Sequence, residues 1–434
     1  MRLDPLHWEI SSTIDLESYL NQFPPKFKYK IDHFYYIIEY LALGMEKDDV
    51  DKNKGYVNVN ATKLQSRIHN YKQYLDHLVE HQFILTDGKY IIGEKSRGYL
   101  ISGYRSSDST TIRSIPIIDY VVKKNRRKLI NEYNASLKKT SQKYNYLTKW
   151  FNEHLKIDYE EASKKILELY PPYTRPIGGP KWYEASRYTK ILIASQALYK
   201  LHKQHFYYQV DKNVNRFHSN LTNFKKELRN YLTYDGQKLV NIDIKNSQPL
   251  FSLILFKPEF YNPKSLHNIY QYSHIFNITP SITINAFSFM LEECLQTTNK
   301  QALKEYSDMV NSGDFYKCIS DKLYPGSKFD KKLIKVMVLT VFFSDNRFIA
   351  QREAEGKRAF KTHFPEVYRV FSLIKKKDKR ILARILQSIE SNIIINKVTK
   401  RVSKEKPKLP IFTIHDSVTT IHGYEDYVAS VIKE

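Results

Sequence analysis

Residues Leu239–Phe251 read LVNIDIKNSQPLF, and residues Pro410–Ile421 read PIFTIHDSVTTI. In the first, Leu239, Asn241 and Asp243 alternate with Val240, Ile242 and Ile244, a period-two pattern that predicts a strand ending at an aspartate. In the second, Ile411, Phe412 and Ile414 run into His415-Asp416-Ser417, and Val418–Ile421 returns as a β-branched run. The His-Asp pair is therefore expected at the tip of a tight hairpin. Read alone, each aspartate simply closes a strand. Read together, two carboxylates on one sheet can hold two divalent cations roughly 3.5–4 Å apart, the arrangement that serves in-line displacement at a phosphoryl group.

The rest of the 434-residue chain bears on that reading. This length predicts two to three domains with ample core. Lys and Arg number 69 against 46 Asp and Glu, a formal charge of +23. Such a balance attracts polyanions, nucleic acid before anionic membrane. The 34 Tyr and 23 Phe offer base-stacking surfaces beyond those the core consumes. No run of about 18 apolar residues occurs and the first twenty residues lack an apolar leader, so neither a membrane span nor secretion is expected. Cys294 and Cys318 are the two cysteines, in no metal-ligand spacing. The expected setting is a reducing cytoplasm, of a bacterial host or a virus-infected cell.

Residues 1–28 carry little pattern. Asp15-Leu16-Glu17 has the D-x-E form of two-metal exonucleases, but no companion carboxylate motif follows. Tyr29–Met45 reads as an apolar helix. A short strand Tyr56–Val59, a helix opened by Asn60 as N-cap and running to Ile68, and an amphipathic helix Tyr71–Phe83 follow. Strand Ile84–Thr86 then turns at Asp87-Gly88 into Tyr90–Ile92, and the Gly93–Gly98 loop leads to strand Tyr99–Tyr104. This order resembles a winged-helix domain. The resemblance implies a groove-facing helix with Lys72, Gln73 and His77 outward and a wing carrying Lys95 and Arg97, directed at nucleic acid or at protein. Residues 1–105 form that expected N-terminal region. Residues 106–140 read as a basic linker, its Ser106–Ile117 part rich in Ser, Thr and Asp and its Val121–Leu129 part a charge run. Tyr146–Tyr170 and Tyr183–His205 read as helices separated by the break Pro171–Pro180. The main domain is expected over 141–434, a helical part at 141–210 and the aspartate-bearing part at 211–434.

Within that last part the polar residues fall in order. Arg216-Phe217-His218-Ser219 precedes the first carboxylate strand, and a helix is expected from about Pro249. Lys331–Phe348 reads as a helix on which Lys331, Lys335, Leu339 and Phe343 recur every four residues and share a face. Its Val336, Val338, Thr340 and Val341 lower helix propensity, so packing must hold it. A further helix, Ile381–Val398, carries Gln387, Glu390 and Asn392 among apolar residues.

These stretches resemble the polymerase module shared by DNA polymerase I-like (family A) enzymes and phage-type single-subunit RNA polymerases. Asp243 with Ser247 and Gln248 is similar to motif A. Lys331, Lys335, Phe343 and Ser344 are similar to the fingers helix, Gln387 with Ile393-Ile394 to the Q-x5-I-I helix, and His415-Asp416-Ser417 to motif C. Arg216–Ser219 is similar to the stretch ahead of motif A. The resemblance covers about half the chain, from Asp211 on. Ser344 stands where that family has Gly, and Lys331 where Arg is commoner.

The resemblance implies a helix-rich α+β right-hand fold of palm, fingers and thumb with an antiparallel palm sheet. It implies template-directed nucleotidyl transfer with nucleoside triphosphates, a DNA template and a primer or transcript as partners. Asp243 and Asp416 would hold two Mg²⁺, and Lys335 would act on the triphosphate beside Lys331, Phe343 and Arg216. Gln387 and His415 would sit at the primer end. The His-Asp-Ser triplet and the Asp243–Ser247 spacing favour an RNA product of a phage or mobile element, while Phe343, lacking a hydroxyl, favours DNA. A non-catalytic DNA-binding replication initiator is the reading from another class.

Overall fold

The computed structural model describes residues 6–45, 56–91, 95–102, 108–171, 181–278 and 283–434. The expected break at 172–180, residues 92–94 and residues 103–107 lie outside them. The chain divides into two compact units, Met1–Gln209 with Ser219–Leu239, and Val210–His218 with Val240–Glu434. The fold is helix-rich α+β, and each strand pairing with a described register is antiparallel. Among the described residues no helix is long and apolar enough to cross a membrane.

In the first unit, the weakly patterned start forms strand His7–Ser11 and helix Leu16–Gln22. Asp15 is the N-cap of that helix, its carboxylate accepting from Ser18 N–H at 3.2 Å, which gives the D-x-E triplet a structural role. Strand His7–Ser11 pairs with Ile112–Pro116, inside the stretch that reads as a linker. The charge run behind it lies on helix Tyr120–Lys143, so order extends through 112–143. The sequence reading misses the strand because its partner is some hundred residues away and Ser and Thr suit strands as well as loops. Tyr146–Tyr170 is likewise interrupted, by strand Leu155–Ile157, which pairs with Leu232–Tyr234.

Helix Ile31–Met45 occupies the middle of this unit, with Phe34, Tyr35, Ile37, Ile38 and Leu41 buried. Buried Asp32 pins two segments to it: one carboxylate oxygen accepts from Trp8 Nε1 at 2.7 Å, the other from the adjacent Ile118 and Asp119 amides at 2.8 and 2.5 Å. Strands Val57–Asn58 and Ile84–Thr86 flank Gly98–Ile101 in a three-stranded sheet. Beside it are helices Ala61–Gln65 and Tyr71–Glu80, the first capped by Asn60, which accepts from Lys63 N–H at 3.0 Å. The long helix Lys181–His202 packs on Tyr159–Leu169, Ile31–Met45 and Gly98–Ile101.

The second unit is built mostly of helices around an aromatic core. Tyr306, Phe315, Phe342, Phe360, Phe364 and Phe371 are buried, with Phe342 edge-on to Phe371 at 4.9 Å. Helix Arg380–Ser391 is the central member. Helices Ser247–Ser252 and Lys331–Phe343 both pack against it. Its chain continues as a π-helical stretch, Asn392–Thr399, and ends as helix Lys400–Glu405. Strands Ile411–Ile414 and Ser417–Ile421 form a hairpin whose second strand neighbours Gln237–Asp243.

Candidate active site

Ile414 pairs with Ser417, which leaves His415 and Asp416 as a two-residue turn. His415 has φ 55°, in the left-handed region that a side chain resists. The turn is held from the neighbouring strand. Ile244 N–H donates to the Asp416 carbonyl at 3.3 Å, and Asn241 Oδ1 accepts from the Ser417 and Thr419 hydroxyls at 2.8 and 2.7 Å. As numbers rise on one strand they fall on the other, so the strand ending at Asp243 and the strand that follows Asp416 run antiparallel side by side. Asp243 is exposed and Asp416 half-buried.

After Asp243 the chain turns sharply at Asn246, which has φ 54°, a conformation Asn tolerates better than most residues. That turn sets Ser247 and Gln248 at the head of their helix. Ser247 Oγ donates to Asp416 Oδ2 at 2.7 Å, which orients the carboxylate and leaves Oδ1 without a hydrogen bond among the described residues. Gln248 Nε2 donates to Glu390 Oε2 at 2.5 Å, and Arg216 donates to Glu390 Oε1. Arg216 comes from a loop wound on Asp211. Burial would raise the Asp211 carboxyl, but His218 and the amides of Val214, Asn213 and Arg216 hold it down to about 2. Burial pushes the Glu390 carboxyl above its ordinary range, against the pull of Arg216. Tyr316, whose phenol is raised by burial and then by the Asp416 charge, stands near the same carboxylate.

Glu390, Tyr316 and Ser247's grip on Asp416 are the features that sequence reading underweights. Glu390 carries a visible signal, a lone acid among Ile385, Leu386 and Ile389. Gln387, the neighbour singled out from sequence, is half-buried. The π-helical stretch after it helps form a small pocket lined by Arg216, Phe217, Ser391, Ile394, Ile395, Thr413 and His415. Single π turns recur at functional positions.

Lys331 and Lys335 are exposed on helix Lys331–Phe343 and have no ion-pair partner among the described residues. The helix ends at Phe343, short of the expected Phe348, and its C-terminus is clamped by two buried lysines. Lys375 Nζ donates to the carbonyls of Val341 and Ser344 at 2.6 and 3.1 Å, and Lys357 Nζ to Ser344 Oγ and the Asp345 carbonyl at 2.9 and 2.7 Å. Phe343 is half-buried, edge-on to Phe342 at 6.0 Å.

In the first unit, Lys72, Gln73 and Arg97 are exposed. His77 is buried instead, packed among Tyr19, Phe27 and Phe34, because its face of the helix also carries Tyr74 and Leu78 inward. Lys95 is committed to Asp87 at 2.7 Å.

Among the described residues no group of three or more His, Cys, Asp or Glu side chains gathers to cage a metal. Asp243, at its strand's end, and Asp416, in the hairpin turn, are the carboxylates that would hold Mg²⁺, an ion for which one or two carboxylates suffice where phosphate oxygens and water complete the shell. Neither a protein-family model nor a curated protein matches the chain.

Proposed function

We propose that the chain is a template-directed nucleotidyltransferase with a right-hand polymerase architecture, making RNA, with DNA synthesis of the family A type as the alternative product. One observation carries this reading. Asp243 and Asp416 are 173 residues apart in sequence, yet the strand ending at Asp243 neighbours the hairpin strand that follows Asp416, Ile244 N–H donates to the Asp416 carbonyl, and Ser247, four residues after Asp243, orients the Asp416 carboxylate.

Two Mg²⁺ ions, with Asp243 and Asp416 as their protein ligands, would activate a 3′-hydroxyl and steady the departing pyrophosphate. The chain's own residues supply the rest. Lys335 and Lys331, exposed on one helix face, neutralise charge on the incoming triphosphate. Phe343 offers its ring to the base, and its helix is fixed from behind by Lys357 and Lys375. Arg216, anchored by Glu390, presents its remaining donors to phosphate, while Gln387 and His415 position the primer end. Lys72, on helix Tyr71–Glu80, and Arg97, just ahead of strand Gly98–Ile101, add template affinity, while Lys95, held by Asp87, adds little; the helix pair and three-stranded sheet support the winged-helix reading.

The test compares the wild type with Asp416→Asn, which removes a ligand oxygen's charge and little shape. Primed and unprimed templates are supplied with ribonucleotides or deoxyribonucleotides and Mg²⁺. Extension by the wild type alone, with template binding retained in both, is the expected result. Unprimed ribonucleotide products assign RNA synthesis, and primed deoxyribonucleotide extension alone assigns DNA synthesis. No product under any condition, with tight DNA binding by both proteins, overturns the enzyme in favour of a non-catalytic initiator.

A further inference from the structure

Helix Tyr120–Lys143 is 24 residues long, about 36 Å, and belongs to the first unit, whereas Asp243 and Asp416 belong to the second. One side of it is half-buried and fixed along its length. Asp119 caps it, accepting from Val122 N–H at 2.9 Å, and Glu39 accepts from Arg126 bidentately at 2.6 and 2.7 Å. Further along, Tyr133 Oη donates to the Phe206 carbonyl at 3.0 Å, and the Ser141 and Thr148 hydroxyls meet at 3.0 Å. The other side is exposed and carries Lys124, Arg127, Lys128, Lys138 and Lys139. At about 100° per residue these cations fall within an arc of about 120°. None of the five has an ion-pair partner among the described residues, and Glu132 is the helix's single acid.

A merely solvated helix face offsets its charges. On helix Tyr159–Leu169, Glu161 pairs with Lys164 at 2.6 Å and Glu168 with Lys165 at 3.0 Å. On Tyr120–Lys143, Lys124 instead repels Arg127 and Lys128, three and four residues on, until an anion sits among them. The spacing selects that anion. The Lys124, Arg127, Lys128 group and the Lys138, Lys139 group are centred about 18 Å apart along the axis, with uncharged, exposed Asn131 and Ala135 between them. The major groove of B-DNA is about 12 Å wide between phosphate surfaces, which sets its two phosphate rows about 18 Å apart, whereas the minor-groove rows are only about 12 Å apart. A single strand offers no such fixed rows, and the face between the groups has no ring on which its bases could stack. It also has no apolar side chain there to enter a lipid surface.

We propose that the outer face of helix Tyr120–Lys143 docks on double-stranded DNA, lying across the major groove with one cation group on each bordering phosphate row. The contact is to backbone, so it positions the duplex without reading its sequence. It uses no residue of the second unit, and it holds equally for an inactive Asp416→Asn chain.

The test uses the full chain, a fluorescein-labelled mixed-sequence duplex and anisotropy at several salt concentrations. Lys124→Gln/Arg127→Gln/Lys128→Gln should lower the log–log salt slope by about 2.7, and Lys138→Gln/Lys139→Gln by about 1.8. All five positions are exposed and Gln is a good helix former, so both variants should fold. A relocated variant adds Asn131→Lys and Ala135→Lys to Lys138→Gln/Lys139→Gln. It restores the net charge but moves the second group into the gap, and it should recover less than half of the lost slope. Oligothymidylate of the same length should lose less slope than the duplex in both group variants. The proposal is overturned if the group variants, folded by circular dichroism, keep the wild-type slope on the duplex, or if the relocated variant binds the duplex as the wild type does. It is overturned equally if the group variants lose oligothymidylate, or phosphatidylserine vesicles, to the same degree as the duplex.

Discussion

Arg216→Met leaves the Glu390 carboxylate in place and removes its cation, and the cost follows from what the pair buries. Glu390 keeps 1% of its side-chain surface and Arg216 23%. Removing one partner of a buried pair costs roughly 3–5 kcal/mol. Arg216 reaches water at one end and Gln248 still donates to Glu390, so the lower figure applies, about 3 kcal/mol at pH 7. The sign with pH is fixed by the direction of the shift. Burial already raises the Glu390 carboxyl, and losing Arg216 raises it further. A carboxyl raised on folding contributes stability that is fully present below its unfolded value and lost as pH rises through the folded one. The variant's deficit therefore opens between the two folded values and shrinks on acidification, by about 1.4 kcal/mol per pH unit within that window. Tryptophan fluorescence does not report on this, since Trp8, Trp150 and Trp182 all belong to the first unit. Urea-dependent hydrogen exchange in peptides covering Arg380–Ser391 does. A deficit equal at pH 7 and pH 5, within about 0.5 kcal/mol, refutes the reasoning, because packing loss alone carries no such pH dependence.

Lys375 gives the opposite case. Burial and then the Lys357 charge push its ammonium down to about 7, so the stability it contributes is present above its unfolded value and lost as pH falls towards 7. Exchange protection of helix Lys331–Phe343 should accordingly rise from pH 7.5 to 9 in the wild type and stay nearly flat in Lys375→Met. On the first unit, Lys95→Ala with Arg97→Ala should lower the log–log salt slope of DNA binding by about one unit. Lys95→Ala alone should move it little, because Asp87 already holds that ammonium at 2.7 Å.

The sequence by itself determined what can be read within one turn or one strand. The period-two run into Asp243, the β-branched run on each side of His415-Asp416, the Asn60 cap and the four-residue spacing of Lys331 and Lys335 are all local. Each appears in the structure as strand, turn, cap or helix face. What joins distant segments was decided only in the tertiary structure. Strand Ile112–Pro116 has no strong pattern of its own and exists because His7–Ser11 pairs with it. His77 sits on a face that looks polar in sequence, but three aromatic rings from other elements enclose it. Glu390 gains its role from Arg216, 174 residues earlier, and Gln248, 142 earlier. Backbone periodicity records only which residues share a face. Hydrogen bonding and desolvation depend on what that face meets, and the meeting partner is set by chain segments that local pattern cannot pair.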